Sequence, residues 1–496
     1  MESELFSLLS RGLEATLRDA NPWWRGERLF GLPPVKRWAF DPVLKNLKGG
    51  LTPATVIRGP RQIGKTTLLR QIVEELVRDG VQPHRIFHVQ FDDLPELRKL
   101  SQPILDLTRW FAENVLRKSF NQAAHDGEQA YVFLDEVQNL SDWDVQLKHL
   151  VDTHPVKVLV TGSSALRIEA GRDSLAGRIT TIEMGPLLVR EIGELRGHGQ
   201  VKAYLPFNGL EPLRRKEFWR GLRDYGDTHR EFRHASFSDL SRWGAYPLAH
   251  AKADVEWDTV AAALNETVVL RAIQHDLRMG PKGAKRDEVL LREVFRLCCR
   301  YIGQAPAQTA LLQEVQQGMH ANVGWQRIMT YLRFLDGTLL IRLVEPLEIR
   351  LKKRRGPPKL CLCDHALRAA WLQERVPLAP ADLAQVPHLS DLAGRIAEGL
   401  VGYFFRSILN LQVAHFPETG SEPEVDFVLT VGEQRIPIEV KYHRRIEYAD
   451  TFGLRSFIEK VHYNAPFGLL ITLNDDVVVD DPRIVCLSLS SLLMMR

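Results

Sequence analysis

The stretch "GPRQIGKT", Gly59 to Thr66, decides how the rest of the chain is read. It matches G-x-x-x-x-G-K-[ST] and lies between a short apolar run, "TVIRG", and a segment with Leu68, Leu69, Ile72, Val73 and Leu76 at helical spacing. Strand, loop, helix is the context this pattern needs. Gly59 and Gly64 permit a tight turn that aims successive backbone N–H groups at phosphate oxygens, and the helix start adds partial positive charge. The expected nucleotide cradle is therefore Gly59, Pro60, Arg61, Gln62, Ile63, Gly64, Lys65, Thr66 and Thr67. Lys65 would reach the outer phosphates of ATP, and the Thr66 hydroxyl would bind Mg²⁺.

Downstream, "YVFLDEVQNL" reads as a buried strand that delivers Asp135 and Glu136 at its C-terminal end, where ligands bind in an open parallel sheet. Asp135 would hold Mg²⁺, mostly through water, and Glu136 would polarise the attacking water. The next strand ends in "TGSSALRI", where Ser163 is the favoured γ-phosphate sensor, with Thr161 and Ser164 as alternatives. Arg178, in "SLAGR", is either a finger acting on a neighbouring subunit's site or one half of a surface ion pair.

At 496 residues the chain has room for about three domains or more. Apolar residues make up 45% and charged residues 26%, as in a soluble globular protein, and the net charge of +3 says little about partners. The five cysteines, Cys298, Cys299, Cys361, Cys363 and Cys486, fit neither a disulfide framework nor a zinc site. They read as small hydrophobes in a reducing compartment. No apolar run approaches the roughly 20 residues that span a bilayer, so the expected location is the cytoplasm.

The runs "GPRQIGKTTLL", "FLDEVQNL", "TGSSA" and "SLAGR", with "RWGAYP" later, resemble the prokaryotic AAA-type P-loop ATPases known as ATP-binding proteins. The resemblance implies an α/β AAA-type core on a parallel sheet, a helical lid, a winged helix and a C-terminal restriction-endonuclease-like domain. With the element pattern it gives an N-terminal helical segment over 1–50, a P-loop core over 51–185, a lid over 186–285, a winged helix over 286–372 and a nuclease-like domain over 373–496. "NPWWR" carries Trp23 and Trp24, which read as packing residues rather than a binding platform.

Between 308 and 362 the pattern is helix, turn, helix, strand, basic turn, strand. Ile328, Leu332 and Leu335 would face inward, and Arg327, Thr330 and Arg333 outward. Arg350, Lys352, Lys353, Arg354, Arg355 and Lys359 form a local basic cluster. A helix for a groove and cations for flanking phosphates point to DNA, branched or single-stranded, as the partner.

Near the end, "VDFVLTVGEQRIPIEVK", 425–441, reads as a hairpin with a two-residue Gly432-Glu433 turn. In that register Asp426 lies opposite Glu439, and Lys441 shares their face. With Glu398 on the preceding helix, this resembles the PD-(D/E)xK nuclease pattern. Glu398, Asp426 and Glu439 would hold a metal ion, and Lys441 would position water or balance phosphate charge. An inactive ion-pair cluster inherited from a nuclease is the other reading. The expected function is an ATP-hydrolysing protein, assembled as a homo-oligomer or hexameric ring, that remodels or processes DNA in repair, recombination or defence. A nucleotide-dependent signalling switch is the alternative.

Overall fold

The computed structural model describes residues 9–496 except 93–95, 98–99, 163–173, 206–208, 252–254, 277–286, 350–351, 354–355 and 421. The chain divides into two compact units, 1–184 and 185–496.

The first unit is built on a five-stranded parallel sheet. Its strands are β1 (Ala54–Arg58), β2 (Ile86–Gln90), β3 (Tyr131–Asp135), β4 (Lys157–Gly162) and β5 (Ile179–Glu183), in the order β2-β3-β4-β1-β5. β1 and β3 are buried along their whole length, which is why both read as continuous apolar runs rather than alternating ones. Helices Lys65–Arg78, Pro103–Phe111 and Trp143–Thr153 supply the amphipathic cover. The segment before β1 belongs to the same core. Trp23 and Trp24 both donate indole N–H bonds to Ile86 O, at 3.1 and 2.8 Å, and Trp24 stacks on Phe87 and Phe111. The tryptophans are packing residues.

The second unit opens with helices Val189–Leu195, Lys216–Thr228 and Arg230–Trp243. "RWGAYP" acquires a physical reason here. Gly244 has φ +76°, and a Cβ at that position would stand 2.2 Å from Ala366 Cβ and 2.6 Å from Asp364 Oδ1. Asp364 caps the helix His365–Leu372 by accepting from Ala366 N at 3.0 Å, and it also accepts from Ala245 N at 2.6 Å. The motif is a close-approach joint.

After helix Trp257–Ala263 and its π-helical continuation come helices Glu288–Arg300, Gln308–Met319 and Trp325–Gly337. Ile328, Leu332 and Leu335 are buried, while Arg327, Thr330 and Arg333 are exposed. β6 (Ile341–Val344) then pairs antiparallel with β9 (Lys359–Leu362), with the short ladder of β7 (Glu348–Ile349) and β8 (Lys352–Lys353) between them in sequence.

The last sheet is mixed, in the order β10-β11-β12-β13-β14, formed by Gln412–Phe416, Val425–Val431, Gln434–Lys441, Gly468–Thr472 and Ile484–Ser488. The first three strands are antiparallel and the last three parallel. The register runs from Val431↔Gln434 to Phe427↔Ile438, and Gly432 has φ +61°. A positive φ at the first turn position is what the Gly432-Glu433 turn requires. No helix among the described residues is long and apolar enough to cross a membrane.

Candidate functional site

In the first unit, β4 separates β1 from β3, so the loop after β1 and the acids after β3 converge on one crevice at the strand C-termini. Gly59 is obligatory, because a Cβ there would lie 2.1 Å from Met184 O and 2.4 Å from Ile63 Cδ1. Gln62 and Gly64 adopt φ +62° and +89°, which turns the loop back on itself. Lys65 is 4% exposed, and its ammonium donates to Gly59 O at 3.1 Å and Pro60 O at 2.8 Å. Pro60 has no N–H, so its part in the cradle is this carbonyl. Arg61 lies 4.0 Å from Asp92, at the edge of ion-pair range.

Thr66 Oγ1 donates to Asp135 Oδ2 at 2.8 Å, and Thr161 Oγ1 donates to Asp135 Oδ1. Burial raises the Asp135 carboxyl above its usual range; the two threonine bonds and Lys65 pull it back, while the Glu136 charge pushes it up. A cation on Asp135 would relieve that cost. Glu136 occupies left-handed backbone at φ +58°, and its N–H donates to Thr161 Oγ1 at 3.1 Å. Its carboxylate lies 3.8 Å from Lys65 Nζ and accepts from Gln138 Nε2. The tight loop that admits only glycine at position 59, the Thr66–Asp135 pair and the poised lysine fit a Mg²⁺–triphosphate. Thr66 and Asp135 would hold the ion.

Of the other expected residues, Ser163 lies outside the described residues, as does Ser164. Thr161, the alternative sensor, is fully buried and fixes Asp135 and Glu136. Sequence spacing alone does not assign it that role, because its partners come from the neighbouring strand. Arg178 makes a two-point pair with Asp152 at 2.5 and 2.9 Å, the surface ion-pair arrangement.

The second unit gathers the C-terminal acids, with one addition and one correction. Asp426 Oδ2 accepts from Val440 N at 2.9 Å, and Lys441 Nζ lies 2.9 Å from Glu439 Oε1. Glu398, from helix Ser390–Arg406, joins them. Among these acids stands a lysine that sequence reading assigned to the DNA-facing cations. Lys359, 2% exposed, donates to Glu398 Oε1, to Asp426 Oδ1 at 3.2 Å and to Glu424 Oε1 at 3.3 Å. It belongs to the acidic cluster because β9 is buried along its length on both faces, so even its first residue meets protein rather than solvent. Of the rest of that basic cluster, Arg350, Arg354 and Arg355 lie outside the described residues, and Lys352 and Lys353 form β8.

Burial raises Glu398 well above the ordinary carboxylate range, and the Asp426 charge adds to it. Burial would also raise Asp426, but Lys359 and the bonds from Glu398 and Val440 outweigh it, and Asp426 ends below its ordinary value. Burial and Asp426 push Glu439 up to about 8. Its Oε2 is buried without a hydrogen-bond partner among the described residues. At the expected metal set of Glu398, Asp426 and Glu439 the chain supplies a cation of its own. The oxygens of Glu398 and Asp426 that would converge on a metal ion are held by an ammonium, and no group of three or more His, Cys, Asp or Glu among the described residues is arranged to hold a metal.

Residues 51–193 match the family model described as an AAA domain; 234–376 and 393–492 match two domains of unknown function, DUF8612 and DUF4143. The first unit therefore carries an AAA-type P-loop ATPase fold, and nucleotide binding with ATPase chemistry in general is what that class supports. An uncharacterized protein of Methanocaldococcus jannaschii is 31% identical over 161 residues, 32% of each chain, so this chain spans about a third of that relative's length. An uncharacterized protein of Haemophilus influenzae is 22% identical over 409 residues, covering 79% of this chain and 90% of its own. Among solved structures, the Walker-type ATPase of Pyrococcus abyssi is 13% identical, covers 69% of this chain and 99% of its own, and has a TM-score of 0.39. The RuvB Holliday junction branch migration motor of Thermotoga maritima is 14% identical, covers 62% and 89%, and has a TM-score of 0.27.

Proposed function

We propose that this chain hydrolyses Mg·ATP in its first unit and that the cycle acts on DNA engaged by its second. The observation that carries the hydrolytic half is the convergence of Lys65, Thr66, Asp135 and Glu136 on one crevice. Loop N–H groups and the start of helix Lys65–Arg78 bind the phosphates, and Lys65 exchanges its two carbonyl partners for phosphate oxygens. Bound Mg²⁺ supplies charge neutralisation at the transferring phosphoryl group. Glu136, oriented through Thr161 and Gln138, takes the proton of the attacking water. In an oligomer, a ring in its fullest form, Arg178 would serve a neighbour's site only after leaving Asp152.

The DNA half is supported by the exposed Arg327–Thr330–Arg333 face and the basic sequence over 350–355, read as the recognition helix and wing of a winged helix. Turnover measured with single-stranded, duplex and branched DNA tests it. One DNA form should stimulate ATP hydrolysis, with stimulation falling steeply between about 50 and about 200 mM salt as counterion release is lost. Equal turnover with every form and with none would favour a second reading, a nucleotide-dependent switch whose nuclease-like region is scaffold. The lysine-filled acidic cluster favours that reading of the C-terminal region specifically.

A further inference from the structure

We propose that the Lys359 ammonium is the resident cation of the cluster formed by Glu398, Glu424 and Asp426, so that this centre takes no divalent metal in the native chain. An ammonium carries three N–H donors and no acceptor. Here there are three carboxyl groups, from helix Ser390–Arg406, from the residue before β11 and from β11 itself, and each takes one contact from Nζ. The match of donors to acceptors is complete.

The lysine is held there by its backbone rather than by a mobile stem. Lys359 pairs with Val344 across the β6–β9 ladder, and the next residue is bonded on both sides, Leu360 N to Gln304 O at 2.8 Å and Gly303 N to Leu360 O at 2.7 Å. A metal would need the same oxygens at about 2.0–2.6 Å from one point. The second Asp426 oxygen is already committed to Val440 N. Entry of the metal would also strand a buried ammonium without its counterions, a state more costly than the pair itself. The Glu439–Lys441 pair stands beside this arrangement, with Lys441 bonded to Glu439 Oε1. The C-terminal unit on this account contains an E-x-K hairpin whose charge is balanced from within, by a strand that arrives from outside the sheet.

Mn²⁺ titration of the full chain without nucleotide, read from the loss of the free-Mn²⁺ electron paramagnetic resonance signal, tests the proposal. Wild type, Asp426→Asn and Glu439→Gln should bind the same amount of Mn²⁺. Lys359→Met should gain an equivalent that Lys359→Met/Asp426→Asn lacks. An equivalent in wild type that disappears in Asp426→Asn or Glu439→Gln overturns the proposal, and so does a folded Lys359→Met that gains none. Should circular dichroism show Lys359→Met unfolded, the comparison of wild type with Asp426→Asn and Glu439→Gln decides alone.

Discussion

Glu136 illustrates how a single residue is set for a task. It follows β3 in left-handed backbone, and its N–H is tied to the Thr161 hydroxyl of the adjacent strand. That geometry aims the carboxylate into the crevice beside Lys65, at 3.8 Å. A glutamine keeps the shape and loses the basicity. Glu136→Gln should therefore lower ATP turnover by about 100-fold or more while nucleotide binding persists, measured by steady-state hydrolysis beside equilibrium binding. Lys65, Thr66, Asp135 and Glu136 were legible in the sequence, because a loop and a strand end announce themselves by local spacing. Lys359 was not. Its acidic partners lie 39, 65 and 67 residues away, while a run of cations ends at Arg355 just before it, so local composition pointed to solvent and phosphate. The signal that was present is the apolar "LCLC" that follows it, the mark of a strand buried on both faces.

Elements are fixed partly by local chemistry and partly by what they must approach. The β11–β12 register followed from alternation and a glycine turn, both local, and the observed pairing keeps it. "RWGAYP" stood out in the sequence without a reason, since the reason is Ala366 and Asp364, more than a hundred residues later. A side chain at Gly244 would meet both strain and collision. Gly432 has a positive φ too, but nothing lies within 4 Å of its would-be Cβ, so it isolates the strain. Gly432→Ala should cost about 1–2 kcal/mol. Gly244→Ala should cost more, by about 1–3 kcal/mol of overpacking. Urea unfolding midpoints of the two variants report the order, and an equal shift would show that the Gly244 joint relaxes.

At the scale of the molecule, the sequence offers five cysteines without a disulfide pattern and no apolar run of about 20 residues, but composition left the partner open, because a net charge of +3 averages over patches of both signs. The parallel sheet of the first unit follows from short apolar strands alternating with amphipathic helices, a pattern that survives without any tertiary information. The second unit was harder to read, since its centre is assembled from a ladder strand, a helix and a mixed sheet that meet only in the fold. On the proposed function, its part depends on the first unit turning over nucleotide.

That dependence makes nucleotide binding the decisive quantity. Calorimetric titration of Mg·ATP into wild type and into Lys65→Ala measures it directly. The account predicts saturable binding to wild type and a loss of about tenfold or more in affinity, at least about 1.4 kcal/mol, in the variant. Absence of binding to wild type, or equal affinity in both, would contradict it.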